Sequence, residues 1–166
     1  MRSRRGWATV DSMKDSEQGR RGTACHEAGH AVVMHAYHLP VQAVWVKYTE
    51  VKGGWHGDML PGSDPEEVPL PVRCVIWTAG KMAEEHFDCR AHGRTWHLDY
   101  ADMESRLDRA EIFGRARKQY IADAENKARA ILRRDHDKAV RLIERLVEHD
   151  RVEREVFESL MKGDAI

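Results

Sequence analysis

The stretch Thr23-Ala24-Cys25-His26-Glu27-Ala28-Gly29-His30-Ala31-Val32-Val33-Met34 decides how this chain is read. It holds no proline, and small or apolar residues lie around most of its circumference, which predicts a helix over 23–39 that is buried on several sides and stops at Pro40. Inside it stands H-E-x-x-H. At 3.6 residues per turn, His26 and His30 lie about 40° apart on one face, so both imidazoles can reach a single ion. Glu27 lies about 100° round from His26, near enough to act on a water held by that ion. Two histidines and a glutamate in an otherwise apolar helix are costly to bury without partners, which favours a metal over a chance string.

The neighbours of the motif fit this reading less directly. His35 and His38 lie about 180° and 120° round from His26, so they serve another face of the helix or its surface. Cys25 points away from the pair and is expected to be a small buried side chain. A catalytic zinc needs a third protein ligand. The close downstream position that holds histidine in one metallopeptidase class is Ala36 here. The third ligand therefore comes from later in the chain, where Glu84, Glu85, His86, His92, His97, Asp99 and Asp102 are candidates that composition does not separate.

Beyond Pro40, residues 41–48 are rich in β-branched and aromatic types and predict a strand, with a return strand over 55–60 after Gly53-Gly54. A proline-rich loop, 64–71, leads to a helix over 72–87 whose core face carries Val72, Val75, Ile76, Ala79 and Ala83. Residues 89–98 read as irregular. Helical periodicity then covers 99–119, with Gly114 as a kink, followed by 121–132, 136–149 and a short helix over 151–161. The expected fold is mainly α with one small β-hairpin or sheet. Residues 1–19 read as a flexible arm and residues 20–166 as one domain.

Length and composition agree. The chain has 166 residues, 42% of them hydrophobic, with 27 Lys plus Arg against 28 Asp plus Glu, the size and balance of a single globular domain. The near-neutral charge excludes a polyanion binder as the leading reading, so no nucleic-acid partner is expected. Apolar runs of about four residues are far too short to span a bilayer. Three cysteines, Cys25, Cys74 and Cys89, form no dense framework and suggest reduced thiols in a cytoplasmic protein.

In its order of motifs the chain resembles the peptidase domain of the FtsH-type AAA proteases. The stretch from Thr23 to Val33 is similar to that family's H-E-A-G-H-A helix, and Pro40 to Val46 to the strand after it. Gly53-Gly54-Trp55-His56-Gly57-Asp58-Met59-Leu60-Pro61 is similar to its G-G-x-x-G segment before Leu-Pro, Ala79-Gly80-Lys81-Met82-Ala83-Glu84-Glu85 to its G-G-R-x-A-E-E helix, and Ala101-Asp102-Met103-Glu104 to its N-D-L-E helix start. The likeness covers about 20–161 and implies a zincin-like helical metallopeptidase. It implies zinc held by His26, His30 and Asp102, with Asp99 the alternative ligand, Glu27 as general base and Glu84 as the carboxylate that orients a ligand. An extended peptide would lie beside an edge strand, either 41–48 or 55–60, with Trp55 and His56 as substrate-binding residues.

The departures also carry weight. No G-x-x-x-x-G-K-[ST] loop occurs in these residues, so ATP-driven unfolding by this chain alone is not expected. The expected substrates are peptides or unfolded proteins, and a homo-oligomer or a separate unfoldase or adaptor is the partner the resemblance suggests. Two competing readings stand beside this one: a peptidase-like binding or regulatory protein, and a zinc amide hydrolase acting on a small molecule.

Overall fold

A computed structural model describes residues 10–50, 54–89 and 95–163. The first element is a helix, α1 (Val10–Ala36), and every residue from Gly22 to Met34 is buried. The helix starts inside the stretch expected to be an arm. Met13, Lys14, Glu17, Gln18 and Arg20 are all good helix formers, and no proline interrupts them. Residues 1–9 lie outside the described residues. His38, at φ 57°, turns the chain out of the helix and into the sheet.

Strand β1 (Val41–Thr49) pairs antiparallel with β2 (Gly54–Pro61), as the alternation predicts. A third strand was not foreseen. The short β3 (Arg151–Glu153) adds to the other side of β1 through Ala43, Val44 and Trp45, giving the order β2-β1-β3. Asp150, at φ 63°, ends the preceding helix, and its carbonyl accepts from the Val46 amide at 2.7 Å. Three residues on an edge carry too little periodicity to stand out in a sequence.

A 3-10 turn at Pro65–Glu67 leads into α2 (Leu70–His86), followed by α3 (Thr95–Arg109), α4 (Gly114–Arg134), α5 (His136–His149) and α6 (Arg154–Lys162). The kink expected at Gly114 is a full break. Glu111 (φ 58°) and Gly114 (φ 57°) both take left-handed backbone, so α3 ends and α4 starts afresh. Helix α1 runs through the centre, with α2, α5 and the β1–β2 hairpin packed round it. The core joins Val32 and Val33 of α1 to Met82 of α2, Leu132 of α4, Leu142 and Leu146 of α5 and Phe157 of α6. The described residues are therefore mainly helical with a small antiparallel sheet, and no described helix is long and apolar enough to cross a membrane.

The cysteines depart from expectation. Cys25 and Cys89, 64 positions apart in sequence, form a disulfide, and only Cys74 is free. The end of α2 brings this about. Asp88 takes left-handed backbone (φ 49°), and the Cys89 amide closes back onto the Glu84 carbonyl at 3.0 Å, a Schellman-type cap with aspartate in the usual glycine position. That cap aims Cys89 at α1.

Candidate metal centre

Helices α1 and α2 meet in an antiparallel register that can be followed rung by rung. His30 Nδ1 donates to the Ile76 carbonyl at 2.7 Å. A Cβ on Gly29 would stand 2.5 Å from the Ala79 carbonyl oxygen and 2.6 Å from Ala83 Cβ, so glycine sets the closeness of the helices. At the next rung, a Cβ on Gly80 would meet three ring atoms of His26 at 2.4–2.6 Å, and His26 Nδ1 lies 2.8 Å from Glu84 Oε1. The disulfide is the last rung.

With both Nδ1 atoms engaged, the two Nε2 atoms are left facing each other at 3.1 Å. Asp99 of α3 completes the group: its Oδ2 lies 3.1 Å from His26 Nε2 and 3.5 Å from His30 Nε2. The three ligand atoms fall within 4.8 Å of one another. Two imidazole nitrogens whose rings are fixed by outer hydrogen bonds, beside a carboxylate, form a donor set that fits a divalent metal such as zinc.

The electrostatics match a cation site. Burial by itself lowers the pKa of His26, but the hydrogen bonds to Asp99 and Glu84 outweigh it and carry the imidazole up to about 10. Burial likewise disfavours ionised Asp99, yet the bonds from His26 and His30 hold that carboxyl well below the usual carboxylate range. Glu27 lies beside the group, 6% exposed, and burial pushes it up to about 7 against the pull of His26 and His30. A carboxylate poised near neutrality suits a general base. Gly57 of β2 makes room for it: a Cβ there would stand 2.4 Å from Glu27 Cγ.

The ligand expected from the family likeness is displaced by three positions. Asp102 is exposed and outside the group, while Asp99 is in it. Three residues apart on a helix, the two aspartates lie about 60° round and about 4.5 Å along from each other, so the spacing itself does not separate them, and only one of them reaches His26. Which one does depends on how the chain enters α3, and no local pattern fixes that. Among the other candidates, Glu85 pairs with Lys81 and Arg129, His86 faces His136 at 3.0 Å and His97 stacks on Trp96. His92 lies outside the described residues. Glu84 stands where the resemblance put it, against His26.

The group opens into a cleft of about 570 Å³ walled by α1, β2, α2 and the start of α3. His56 and Trp45 line it, but Trp55 does not: Trp55 sits edge-to-face against Tyr48 at 5.8 Å, under the Arg20 guanidinium at 5.1 Å. Apolar walls extend one turn beyond His30 through Met34, Met59, Ile76 and Trp77. Of the two strands considered for substrate, β1 is interior to the sheet and β2 is the edge that borders the cleft. The closely packed glycines, Gly57 and Gly80, were missed as site residues. Their signal was present, since a glycine inside a strand or helix often marks a close approach.

A scan of family models and a search of curated proteins return no match to this chain.

Proposed function

We propose that this chain is a zinc-dependent metallopeptidase of the H-E-x-x-H type, similar to the peptidase domain of the FtsH-type proteases. One observation carries the reading: two histidine Nε2 atoms 3.1 Å apart converge with a carboxylate beside a buried glutamate, inside an open cleft. His26, His30 and Asp99 would hold the ion. Bound zinc would supply Lewis acidity toward a carbonyl and lower the pKa of water.

The chain's own groups do the rest. Glu27 takes the proton of the attacking water and returns it to the leaving amine, a two-way role that a carboxyl held near neutrality can fill. Glu84 fixes the ring of His26, and the Ile76 carbonyl fixes that of His30. The outer edge of β2 offers main-chain groups to an extended peptide, which favours peptides or unfolded proteins over folded substrates. A homo-oligomer or a separate unfoldase or adaptor is the partner that this reading suggests. The expectation of a cytoplasmic location rested on three reduced thiols, and the Cys25–Cys89 bond counts against it, because disulfides persist mainly in oxidising compartments.

The test is metal content of protein purified without a histidine tag, together with cleavage of casein by the wild type and Glu27→Gln. One zinc per chain in both, with cleavage only in the wild type, is the expected result. Equal cleavage by the two proteins would remove Glu27 from its role, and zinc without any casein cleavage would move the reading to a small-molecule amide hydrolase.

A further inference from the structure

The bond between Cys25 and Cys89 occupies a particular place. Cys25 immediately precedes His26, and Cys89 follows α2 at the cap that closes onto the Glu84 carbonyl. Both cysteines are buried, at 0% and 7% exposure. The rung carrying His26 and Glu84 is therefore held on one side by the glycine contact at Gly29 and on the other by a covalent bond.

The same bond bears on the third ligand. Helix α3 is the next element after Cys89, and it packs on α2. Tyr100, beside Asp99, donates to Glu125 of α4 at 2.6 Å, and Lys81 of α2 lies over the Tyr100 and Trp96 rings at 5.1 Å and 5.4 Å. Asp99 is thus seated through α2 and α4, while the two histidines belong to α1. The position of one ligand set relative to the other depends on how firmly the end of α2 is fixed to α1. A metal site tolerates only small displacements of its ligands, so this junction governs its affinity.

We propose that Cys25 and Cys89 are positioning residues of the metal centre, whose disulfide sets the α1–α2 junction so that breaking it with a dithiol reductant weakens metal binding in a chain that stays folded. The inference rests on the metal reading above. In the reaction the reductant passes two electrons and two protons to the Sγ–Sγ bond. The bond breaks into two thiols as the reductant closes to its own disulfide. The site would then bind its ion more tightly under oxidising conditions than under reducing ones.

The experiment compares zinc affinity by chelator competition in the oxidised wild type, the dithiol-reduced wild type and the Cys25→Ala/Cys89→Ala double variant, with near-UV circular dichroism on each. The double variant keeps freed thiols from binding zinc themselves, and Cys74→Ser controls for the remaining thiol. Zinc affinity at least tenfold weaker in the reduced and double-variant proteins, with native circular dichroism retained and Cys74→Ser unchanged, is expected. Equal affinity across all forms would overturn the inference and leave the metal reading intact. Loss of the native spectrum on reduction would also overturn it, making the bond a general staple. Oxidised protein that binds no zinc would instead sink the metal reading and this inference together.

Discussion

Asp99 Oδ2 stands 3.1 Å from His26 Nε2, although 73 positions separate the two residues. Asp102, three residues further along the same helix, faces solvent. Asp99→Ala should therefore abolish stoichiometric zinc binding, while Asp102→Ala should bind as the wild type does. Metal analysis after gel filtration decides it, and the opposite pattern would show that α3 enters in a different register.

Of the two closely packed glycines, Gly80 lies against His26 and Gly57 against Glu27, so substitutions there should separate metal binding from the proton transfer proposed for Glu27. Gly80→Ala places a methyl group against the His26 ring, so zinc affinity should fall at least tenfold and stability by about 1–3 kcal/mol, the range for overpacking. Gly57→Ala instead displaces the Glu27 side chain, and here zinc should stay bound while turnover falls. Gly54→Ala, with nothing within 4 Å of the added methyl, is the control. Affinity by chelator competition and initial cleavage rates read the two effects apart.

Protonation of His26 couples the site to pH in two opposing ways. In the absence of metal, its folded pKa is raised from 6.5 to about 10. Its contribution to stability is therefore full below pH 6.5 and is lost as pH rises through about 10. Zinc takes only the neutral ring, so binding at neutral pH should release about one proton and tighten as pH rises. Calorimetry in two buffers of different ionisation enthalpy measures the proton, and melting of chelator-treated protein between these limits should show Tm falling with pH. A proton count of zero at pH 7 would mean that His26 is neutral before metal binds.

Removing the disulfide should also lower global stability. Closing a loop across 64 positions restricts the unfolded chain, and losing that restriction costs about 2–4 kcal/mol. Urea unfolding of Cys25→Ala/Cys89→Ala against the wild type measures it. An unchanged midpoint would indicate that the unfolded chain already keeps the two segments together.

Much of this protein was legible without coordinates because the features concerned are local. The spacing of His26 and His30 follows from the helical repeat, the burial of α1 from its alanines and valines, and the β1–β2 pair from alternation and the glycine turn. Glu84 was reached through the order of motifs, and its place against His26 agrees. What local pattern could not give was anything set by the approach of distant segments. The selection of Asp99 over Asp102 depends on how α3 is seated against α2 and α4. The pairing of Cys25 with Cys89 depends on a left-handed aspartate at the end of α2, and the contribution of β3 on three residues after another left-handed aspartate. A helix places residues a few positions apart by geometry alone, and so the sequence by itself determined the convergence of His26 and His30 and the place of Glu27 beside them. The choice of Asp99, the covalent tie and the third strand are fixed by the packing of distant segments, which sums many weak contacts over separations that no short pattern records.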